Sequence, residues 1–270
     1  MTDLITAWPM QALQATLDLP DPEPRSGDPL PPLWHWLFFL PTVAHSHLGS
    51  EGHARLGGFL PPVGLPRRMF AGGRFTFHRP LRVGEQASRM GTVIRIEEKE
   101  GRSGRLVFVV VRYEITGEGG LAIVEEQDLV YREAPDRSRA LAPGTEAIPA
   151  EPWSRTVDPD PVMLFRFSAL TFNGHRIHYD YPYVTEVEGY PGLIVHGPLT
   201  ALLLADVARR EGPGPLESFS FRARSPLFTG ERFTLLGMPG GDRTAALSAW
   251  SHDARLSMTA EAEFADEPSD

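Results

Sequence analysis

Apolar residues recur at helical spacing in three parts of the chain. The first pattern predicts a helix within residues 1–19, from the positions Leu4, Ile5, Trp8, Leu13 and Leu17. The run LWHWLFFL, residues 33–40, is apolar on nearly every side and predicts a buried helix that begins at Pro31 or Pro32. The run PLTALLLADVARR, residues 198–210, predicts a third helix.

Between these helices the apolar period changes to two. Four segments then predict strands, GGRFTFHRPLRVGE, RMGTVIRIEEKE, GRLVFVVVRYEIT and LAIVEEQDLVYRE, the last ending at residue 133. Short turns at residues 101–104 and 117–120 predict an antiparallel meander. The Gly/Pro-rich excursion before them, residues 41–74, is long enough to be functional or packed over another part of the domain.

The second half follows the same plan. PVMLFRFSALTF, residues 161–172, is predicted as a strand, followed by a polar loop and the helix at residues 198–210. The segments SFSFRARSPLFTGERFTLLG, TAALSAWSHD and ARLSMTAEAEF predict further strands. Residues 134–156 are expected to be an exposed linker, and residues 265–270 a disordered tail.

A repeat supports this division. FTFHRPLRVGE (75–85) matches FSFRARSPLFTGE (219–231) with a two-residue insertion, which indicates two copies of one module in a single chain. Each copy offers one long apolar helix and four or five strands, and such a helix is best buried in the concave face of a twisted antiparallel sheet. We therefore predict an α+β fold, with modules at residues 1–133 and 157–264 packed side by side as a pseudo-dimer.

Composition narrows the class of protein. Apolar residues make up 41% of the chain and charged residues 23%, as in an average globular protein. The net charge of -9 argues against a nucleic-acid partner. The lack of cysteine excludes disulfides, thiolate metal sites and cysteine nucleophiles. The N-terminus does not resemble a signal peptide, and no apolar run reaches the roughly 18 residues of a membrane span, so a cytoplasmic protein without a membrane partner is expected.

The stretch TFNGHRIHYD, residues 171–180, concentrates side chains that can carry chemistry. His178 is the best general acid or base by its intrinsic pKa, and His175 can either transfer a proton or orient a group. Asn173 can orient water or a carbonyl group but cannot accept a proton. Asp180 either holds a ring nitrogen or caps the helical turn that follows. The alternative is a polar loop whose histidines bond the backbone.

The segment HGPLTALLLADVA places Gly197 at a helix start and Pro198 in the first turn. A helix start offers unpaired N–H groups with positive partial charge, which can stabilise an oxyanion or a thioester enolate. Every helix has this feature, so its meaning depends on the candidate base nearby. His196 is either an orienting group or only a polar residue near the N-cap.

Several cations are candidates for binding an anionic ligand. Arg67 and Arg68 can bind a carboxylate or phosphate bidentately, or they lie in a solvated loop, and Arg176 is a further candidate. Arg222 and Arg224 alternate with phenylalanines, so they point to the opposite face of their strand, at a domain seam or a ligand groove.

No metal site is predicted. His45, His47 and His53 lie within nine residues, but Glu51 is the only acid among them and the spacing matches no ligand pattern. The chain also has no G-x-S-x-G, Walker or G-x-G-x-x-G motif.

The segment FSALTFNGHRIHYDYPYVTEVEGYPGLIVHGPLTALLL resembles the hydratase signature of the MaoC-like hot-dog proteins. The signature Asp falls on Asn173, its Asn on His175 and its His on His178. This version, with PPLWHWLFF, GGFLPPVGLPRRMFAGG and FHRPLRVGE in the first half, is similar to a particular subgroup. That subgroup includes the mitochondrial 3-hydroxyacyl-thioester dehydratase and the bacterial mesaconyl-C4-CoA (3-methylfumaryl-CoA) and itaconyl-CoA hydratases.

The resemblance implies a double hot-dog fold, with two antiparallel sheets that each wrap a central helix. It implies that the C-terminal module reversibly hydrates an enoyl thioester, while the N-terminal module supplies much of the acyl pocket. His178 would transfer the proton, Asn173 would position water, and the Gly197 amide would bind the thioester oxygen. The expected substrate is a branched C5 dicarboxylyl-CoA whose carboxylate meets Arg67, Arg68 or Arg176, and no cofactor is expected.

Two alternatives remain open at this stage. One is a dehydratase for 3-hydroxyacyl thioesters of ordinary fatty chains, carried by CoA or by acyl carrier protein. The other is a non-catalytic hot-dog protein that binds acyl-CoA. A homodimer of the whole chain is a further possibility that the sequence does not decide.

Overall fold

A computed structural model describes residues 1–101, 104–133, 141–145, 147–241 and 243–266. The predicted linker and the predicted tail therefore lie partly outside the described residues. Within the described part of the chain, no helix is both long and apolar enough to cross a membrane.

The described residues form three α-helices and ten strands. The helices are α1 Ala7–Leu17, α2 Pro161–Leu170 and α3 Gly197–Glu211. The strands of the first half are β1 Thr2–Leu4, β2 Arg67–Phe77, β3 Gln86–Gly101, β4 Gly104–Gly117 and β5 Gly120–Arg132. Those of the second half are β6 Trp153–Val157, β7 Leu216–Ala223, β8 Phe233–Pro239, β9 Thr244–Ser251 and β10 Leu256–Phe264.

All ten strands belong to one antiparallel sheet, in the order β1-β3-β4-β5-β2-β7-β10-β9-β8-β6. The predicted meander is confirmed for β3, β4 and β5, and β2 pairs with β5 on its far side. The two expected sheets are joined edge to edge, because β2 and β7 are hydrogen-bonded to each other.

The repeated F-x-F segments meet at this seam. Phe75 of β2 lies opposite Phe219 of β7, and Gly73 lies opposite Phe221. The rings of Phe75 and Phe221 stack at 6.2 Å with an angle of 13° between their planes. Equivalent segments that pair antiparallel are related by a local twofold axis, so the predicted side-by-side arrangement of two modules is confirmed.

The C-terminal half wraps its central helix as predicted. Helix α3 begins at Gly197 with Pro198 in its first turn, and every residue from Leu199 to Ala208 is buried. It packs against β6, β7, β8, β9 and β10. Burial on all sides explains why this segment is apolar throughout rather than along one stripe.

The N-terminal half has no equivalent helix in its described residues, so the helix predicted at residues 33–40 is wrong. The structure forms only a 3-10 turn at Trp34–Leu37. Phe39 adopts a left-handed conformation, with φ of 55°, and interrupts any continuation. The buried carboxylate of Glu125 accepts the Trp36 Nε1–H at 2.8 Å and contacts His35 Nε2 at 3.0 Å, which anchors the turn by side chains rather than by helical bonds.

The Gly/Pro-rich excursion packs over the concave face of the N-terminal half instead. It spans residues 41–66 rather than 41–74, because β2 begins earlier than predicted, at Arg67. A second apolar cluster lies under this loop and is built from β4 and β5 residues with Leu65, namely Val107, Val109, Val111, Leu129 and Tyr131. Leu56, Leu60 and Val63 of the loop pack on that cluster. The loop thus replaces part of the missing helix.

The strand predicted at residues 161–172 is also wrong, because the segment forms α2. Asp160 is the N-cap, and its Oδ1 accepts the Met163 N–H at 2.7 Å, while Pro161 occupies the first turn. Leu164, Phe167 and Ser168 face inward at helical spacing. Strand β6 in turn takes in the end of the predicted linker.

Candidate active site

A cavity of about 2300 Å³ lies between the concave face of the N-terminal half and the start of α3. Both halves contribute to its wall. The N-terminal half supplies β2, β5 and the loop at residues 41–66, and the C-terminal half supplies the stretch at residues 173–179 and the first turn of α3. Four of the residues predicted to carry chemistry therefore face a large space that the N-terminal half covers, namely Asn173, His175, His178 and Gly197.

His178 lies at the end of a short 3-10 turn and is 6% exposed. Its Nδ1 lies 2.7 Å from the Ile194 carbonyl oxygen. A carbonyl only accepts, so Nδ1 carries the proton and Nε2 carries the lone pair. Burial lowers the pKa of His178 to about 4, although the bond to Ile194 acts in the other direction. The ring is therefore neutral at neutral pH, with its basic nitrogen free of protein partners among the described residues.

His196 holds the His178 ring against the start of α3. The two rings stack with centroids 3.6 Å apart and planes 18° apart. His196 is the N-cap residue of α3, and its Nε2 lies 2.8 Å from the Ser168 hydroxyl. Burial first, then the nearby histidines, keeps the pKa of His196 well below its usual range. His196 therefore limits the orientation of the His178 ring.

Gly197, the first residue of α3, lines the cavity directly after His196. No acceptor for its N–H is present in the described residues, as expected for the first turn of a helix. Because His196 stacks on His178, the basic nitrogen and this free amide are brought to the same end of the cavity. The proximity of His178 and Gly197 expected from the sequence is thus observed.

Asn173 lines the cavity beside them. Its Oδ1 accepts the His175 N–H at 3.0 Å, and its own N–H donates to the Ser168 carbonyl at 2.8 Å. These bonds fix the loop and leave the Nδ2 amide protons as the free donors of the side chain.

His175 and His53 extend the cluster into the N-terminal half. The His175 ring lies 5.5 Å from that of His178 and 4.1 Å from that of His53, which the loop at residues 41–66 supplies. Burial lowers the pKa of His175 to about 3, and burial with the charge of Arg68 keeps the pKa of His53 well below its usual range. Sequence reasoning missed His53 as a site residue, because its only signal was its place among three histidines.

The loop from the N-terminal half is docked closely on the stretch at residues 171–180. Gly52, with φ of 95°, approaches Gly174 so closely that a Cβ on Gly52 would lie 1.9 Å from the Gly174 carbonyl oxygen. The Arg176 N–H donates to the Glu51 carbonyl at 2.9 Å. Only glycine fits this contact, which holds His53 against His175.

The candidate arginines have different surroundings. Arg67 lines the cavity and pairs with Glu188 at 2.9 Å. Arg176 pairs with Asp180 at 2.8 Å and is absent from the described cavity wall. Asp180 also caps the following turn by accepting the Tyr183 N–H at 3.1 Å, which is the second of its two expected roles. Arg68 lines the cavity as well.

Other predicted groups lie further from this centre. Arg222 faces Gly72 across the seam, and Arg224 is exposed at the cavity rim. His45 and His47 lie exposed on a 3-10 turn of the loop. Over the described ranges, no three His, Cys, Asp or Glu side chains converge as metal ligands.

Comparison with known proteins supplies a family. A family model described as hydroxyacyl-thioester dehydratase type 2 matches residues 33–229. A mesaconyl-C4-CoA hydratase of Chloroflexus aurantiacus is 51% identical over 253 residues, covering 94% of this chain and 90% of the relative. The mitochondrial hydroxyacyl-thioester dehydratase type 2 of Schizosaccharomyces pombe is 29% identical, covering 86% and 87%.

Solved structures support the fold. A MaoC-like dehydratase from Phytophthora capsici matches with a TM-score of 0.67 at 15% identity, covering 98% of this chain and 95% of the other. A Mycobacterium tuberculosis protein described as a double hot-dog matches with a TM-score of 0.57 at 14% identity, covering 97% and 93%. The expected fold and family resemblance are confirmed. The chain therefore belongs to the hydroxyacyl-thioester dehydratase type 2 family and is built as a double hot-dog.

Proposed function

We propose that this chain is a hydro-lyase that reversibly hydrates an enoyl-CoA, with a branched C5 dicarboxylyl thioester of the mesaconyl-C4-CoA or itaconyl-CoA type as substrate. One observation carries the reaction type: a neutral, orientation-locked His178 lies against the open N-terminus of α3 in a cavity. The 51% identity to a protein named mesaconyl-C4-CoA hydratase supports the substrate class.

Gly197 provides the electrostatic part of the proposed mechanism. Water adds to the carbon β to the thioester, and the electrons of the double bond move towards the thioester oxygen. The Gly197 N–H, at the positive end of the α3 dipole, donates to that oxygen as its charge develops. Because the amide is fixed by the helix, it needs no rearrangement when the charge appears.

His178 transfers the proton. Its Nε2 takes a proton from water as the water oxygen bonds the β-carbon, and the resulting imidazolium returns the proton to the α-carbon. The atoms of one water are thus added and the base is regenerated. In reverse, His178 removes the α-proton and protonates the leaving hydroxyl. This chemistry involves no net redox change and needs no redox cofactor.

Asn173 holds the water. Since its Oδ1 is occupied by the His175 N–H, the free Nδ2 protons donate to the water oxygen and turn a water proton towards His178. Asn173 cannot act as a base, so the proposal assigns all proton transfer to the histidine. The orientation of His178 by Ile194 and His196 replaces the help that a carboxylate would give at that position.

A second candidate function is dehydration of 3-hydroxyacyl thioesters of fatty type. It is favoured by the description of the matching family and by the S. pombe relative. The two functions share the centre at His178 and differ in what the far wall of the cavity must recognise. A non-catalytic acyl-CoA-binding protein would share only the cavity.

The test is a hydration assay with the purified protein on crotonyl-CoA and mesaconyl-C4-CoA, following the loss of enoyl-thioester absorbance, and on itaconyl-CoA, following the hydrated thioester by mass spectrometry. We expect turnover of a dicarboxylyl ester to exceed that of crotonyl-CoA. Equal turnover of crotonyl-CoA and mesaconyl-C4-CoA favours the fatty-type enzyme. A thermal shift with these esters and hydration of none of them means a binding protein.

A further inference from the structure

Of the three arginines that the sequence offers for the substrate carboxylate, one lines the cavity without an ion pair to a carboxylate of the described residues. Arg67 is paired with Glu188, and Arg176 is paired with Asp180. In the described part of the chain, no carboxylate forms an ion pair with Arg68, although its side chain is half-buried and lines the cavity. A partly buried cation without a counterion is costly unless a ligand supplies the negative charge.

The fold points Arg68 towards the reaction centre. Arg68 lies on β2 directly opposite Tyr131, and it shares its face of the strand with Phe70. Tyr131 and Phe70 both belong to the apolar cluster of the N-terminal concave face. The guanidinium therefore projects from that face into the space that lies across from the catalytic stretch.

Two histidines lie within the field of this cation. The positive charge of Arg68 contributes to the lowered pKa of both His53 and His175, after the larger effect of burial. The two rings contact each other at 4.1 Å. Neutral imidazoles beside a guanidinium can each donate one N–H to an anion held between them.

The chemistry of the substrate requires an anion site at this place. In mesaconyl-C4-CoA the free carboxylate is bonded to the carbon that water attacks, so the two carbons are about 1.5 Å apart. The carboxylate must therefore be bound within the same cluster that contains His178 and Asn173. A cation at the cavity rim, such as Arg224, cannot serve a carboxylate in that position.

We propose that Arg68, with His53 beside it, forms a carboxylate subsite through which the N-terminal half selects enoyl thioesters that carry a carboxylate on the carbon attacked by water. This inference rests on the proposed function and adds the group that would determine its substrate specificity. Arg68 is the binding group, because its planar fork can hold both carboxylate oxygens. His53 is a positioning and donating residue, kept in place by the contact between Gly52 and Gly174.

The experiment measures competitive inhibition by two saturated esters, methylsuccinyl-CoA with the free carboxylate and butyryl-CoA without it. In Arg68→Gln we expect the inhibition constant of methylsuccinyl-CoA to rise about 10- to 100-fold, the usual worth of a hydrogen bond to a charged group. That of butyryl-CoA should change less than about threefold, because its contacts remain. Where turnover is too slow for inhibition to be measured, calorimetry gives the same ratio from the dissociation constants of the two esters.

Matched variants make the result specific. Arg67→Gln and Arg224→Gln remove cavity-lining cations of the same size and should leave the ratio of the two constants unchanged. Arg68→Lys keeps the charge but loses the fork, so an intermediate ratio is expected. The wild-type protein itself should bind methylsuccinyl-CoA more tightly than butyryl-CoA, which tests the subsite even if Arg68→Gln does not fold.

The outcomes separate the two proposals. Three results would overturn the subsite: an unchanged ratio in Arg68→Gln, an equal loss of affinity for both esters, or a loss of affinity in Arg67→Gln instead. The proposed function would still stand if the wild-type protein hydrates an enoyl-CoA. A ratio that follows Arg68, in a protein that hydrates no enoyl-CoA, supports the subsite and overturns the proposed function.

Discussion

The two halves of the sheet use their concave faces in different ways. In the C-terminal half, α3 fills that face, and residues from Leu199 to Ala208 are buried against the strands. In the N-terminal half the corresponding face receives a 3-10 turn, a loop and a cavity of about 2300 Å³. The same type of sheet therefore encloses a helix in one copy and space for a ligand in the other.

This difference is the basis for proposing a separate task for each half. A filled face gives a rigid helix whose first turn presents Gly197 and supports His178 through His196. An open face gives room for an acyl group and a wall that carries Arg68. Reaction and recognition can then be altered independently, and the following predictions test that separation.

Removing the proposed base of the C-terminal half should have the largest effect. We expect His178→Ala to lower kcat by about 10²- to 10⁴-fold, because general base catalysis contributes this much. Steady-state kinetics on the best substrate of the panel measures the loss. His252→Ala, which changes an exposed histidine outside the cavity wall, is the control. Near-wild-type turnover by His178→Ala would show that His178 is not the base.

Packing should also differ between the halves. Leu203 is fully buried in α3, so Leu203→Ala should lower the free energy of unfolding by about 2–5 kcal/mol. Leu60 is half-buried in the covering loop, and Leu60→Ala should cost less than about 1.5 kcal/mol, within the range of a partly exposed contact. Urea denaturation compares the two. Equal losses would show that the loop packs as tightly as the helix.

The contact that joins the halves is the third target. Gly52→Ala places a Cβ against the Gly174 carbonyl at a positive φ, so we expect about 1–3 kcal/mol of strain and a lower kcat as His53 and His175 separate. Gly58→Ala is the matched control, since nothing lies within 4 Å of its Cβ position. Thermal unfolding and kinetics report both effects. Unchanged kinetics in Gly52→Ala would show that the contact of the loop does not affect the site.

Acid should destabilise the fold through the histidine cluster. The folded-state pKa values of His175 and His178 lie near 3 and 4, below the value of about 6.5 in the unfolded chain. Below pH 6.5 the unfolded state therefore binds protons that the folded state does not, and stability falls as pH falls. Each such histidine should cost about 1 kcal/mol per pH unit.

Urea denaturation between pH 8 and pH 5, above the range in which carboxylates titrate, measures this slope. Stability should be level from pH 8 to 7 and decline below 6.5, and His178→Gln should reduce the decline. A flat profile down to pH 5 would mean that the cluster accepts protons in the folded state.

Most of the strand plan follows from the sequence, because alternation and short turns are local signals. The central helix at residues 198–210 was also predicted, since its length and apolar character leave no other element. Residues 33–40 failed because an all-apolar run has no period, and the buried Glu125 that fixes its turn is distant in sequence. The strand predicted at residues 161–172 is wrong because the local signal for a helix is confined to its start, where Asp160 caps the first turn and Pro161 follows.

The candidate site residues also divide into those with a local signal in the sequence and those that depend on tertiary contacts. His178, Asn173 and Gly197 could be named from a compact motif and from the start of a helix. His53 could not, because its ring meets His175 only through the docked loop. The separation of Arg68 from Arg67 and Arg176 also required the structure, since ion pairs with Glu188 and Asp180 depend on tertiary contacts.

The seam between β2 and β7 has a mechanical consequence. Gly72 to Thr76 of β2 are hydrogen-bonded to Arg222 to Ser218 of β7, so the two copies form a single plate without a hinge. Opening such a plate would break a row of backbone hydrogen bonds at once. A ligand of the cavity therefore meets two halves whose spacing at this seam is fixed by backbone hydrogen bonds.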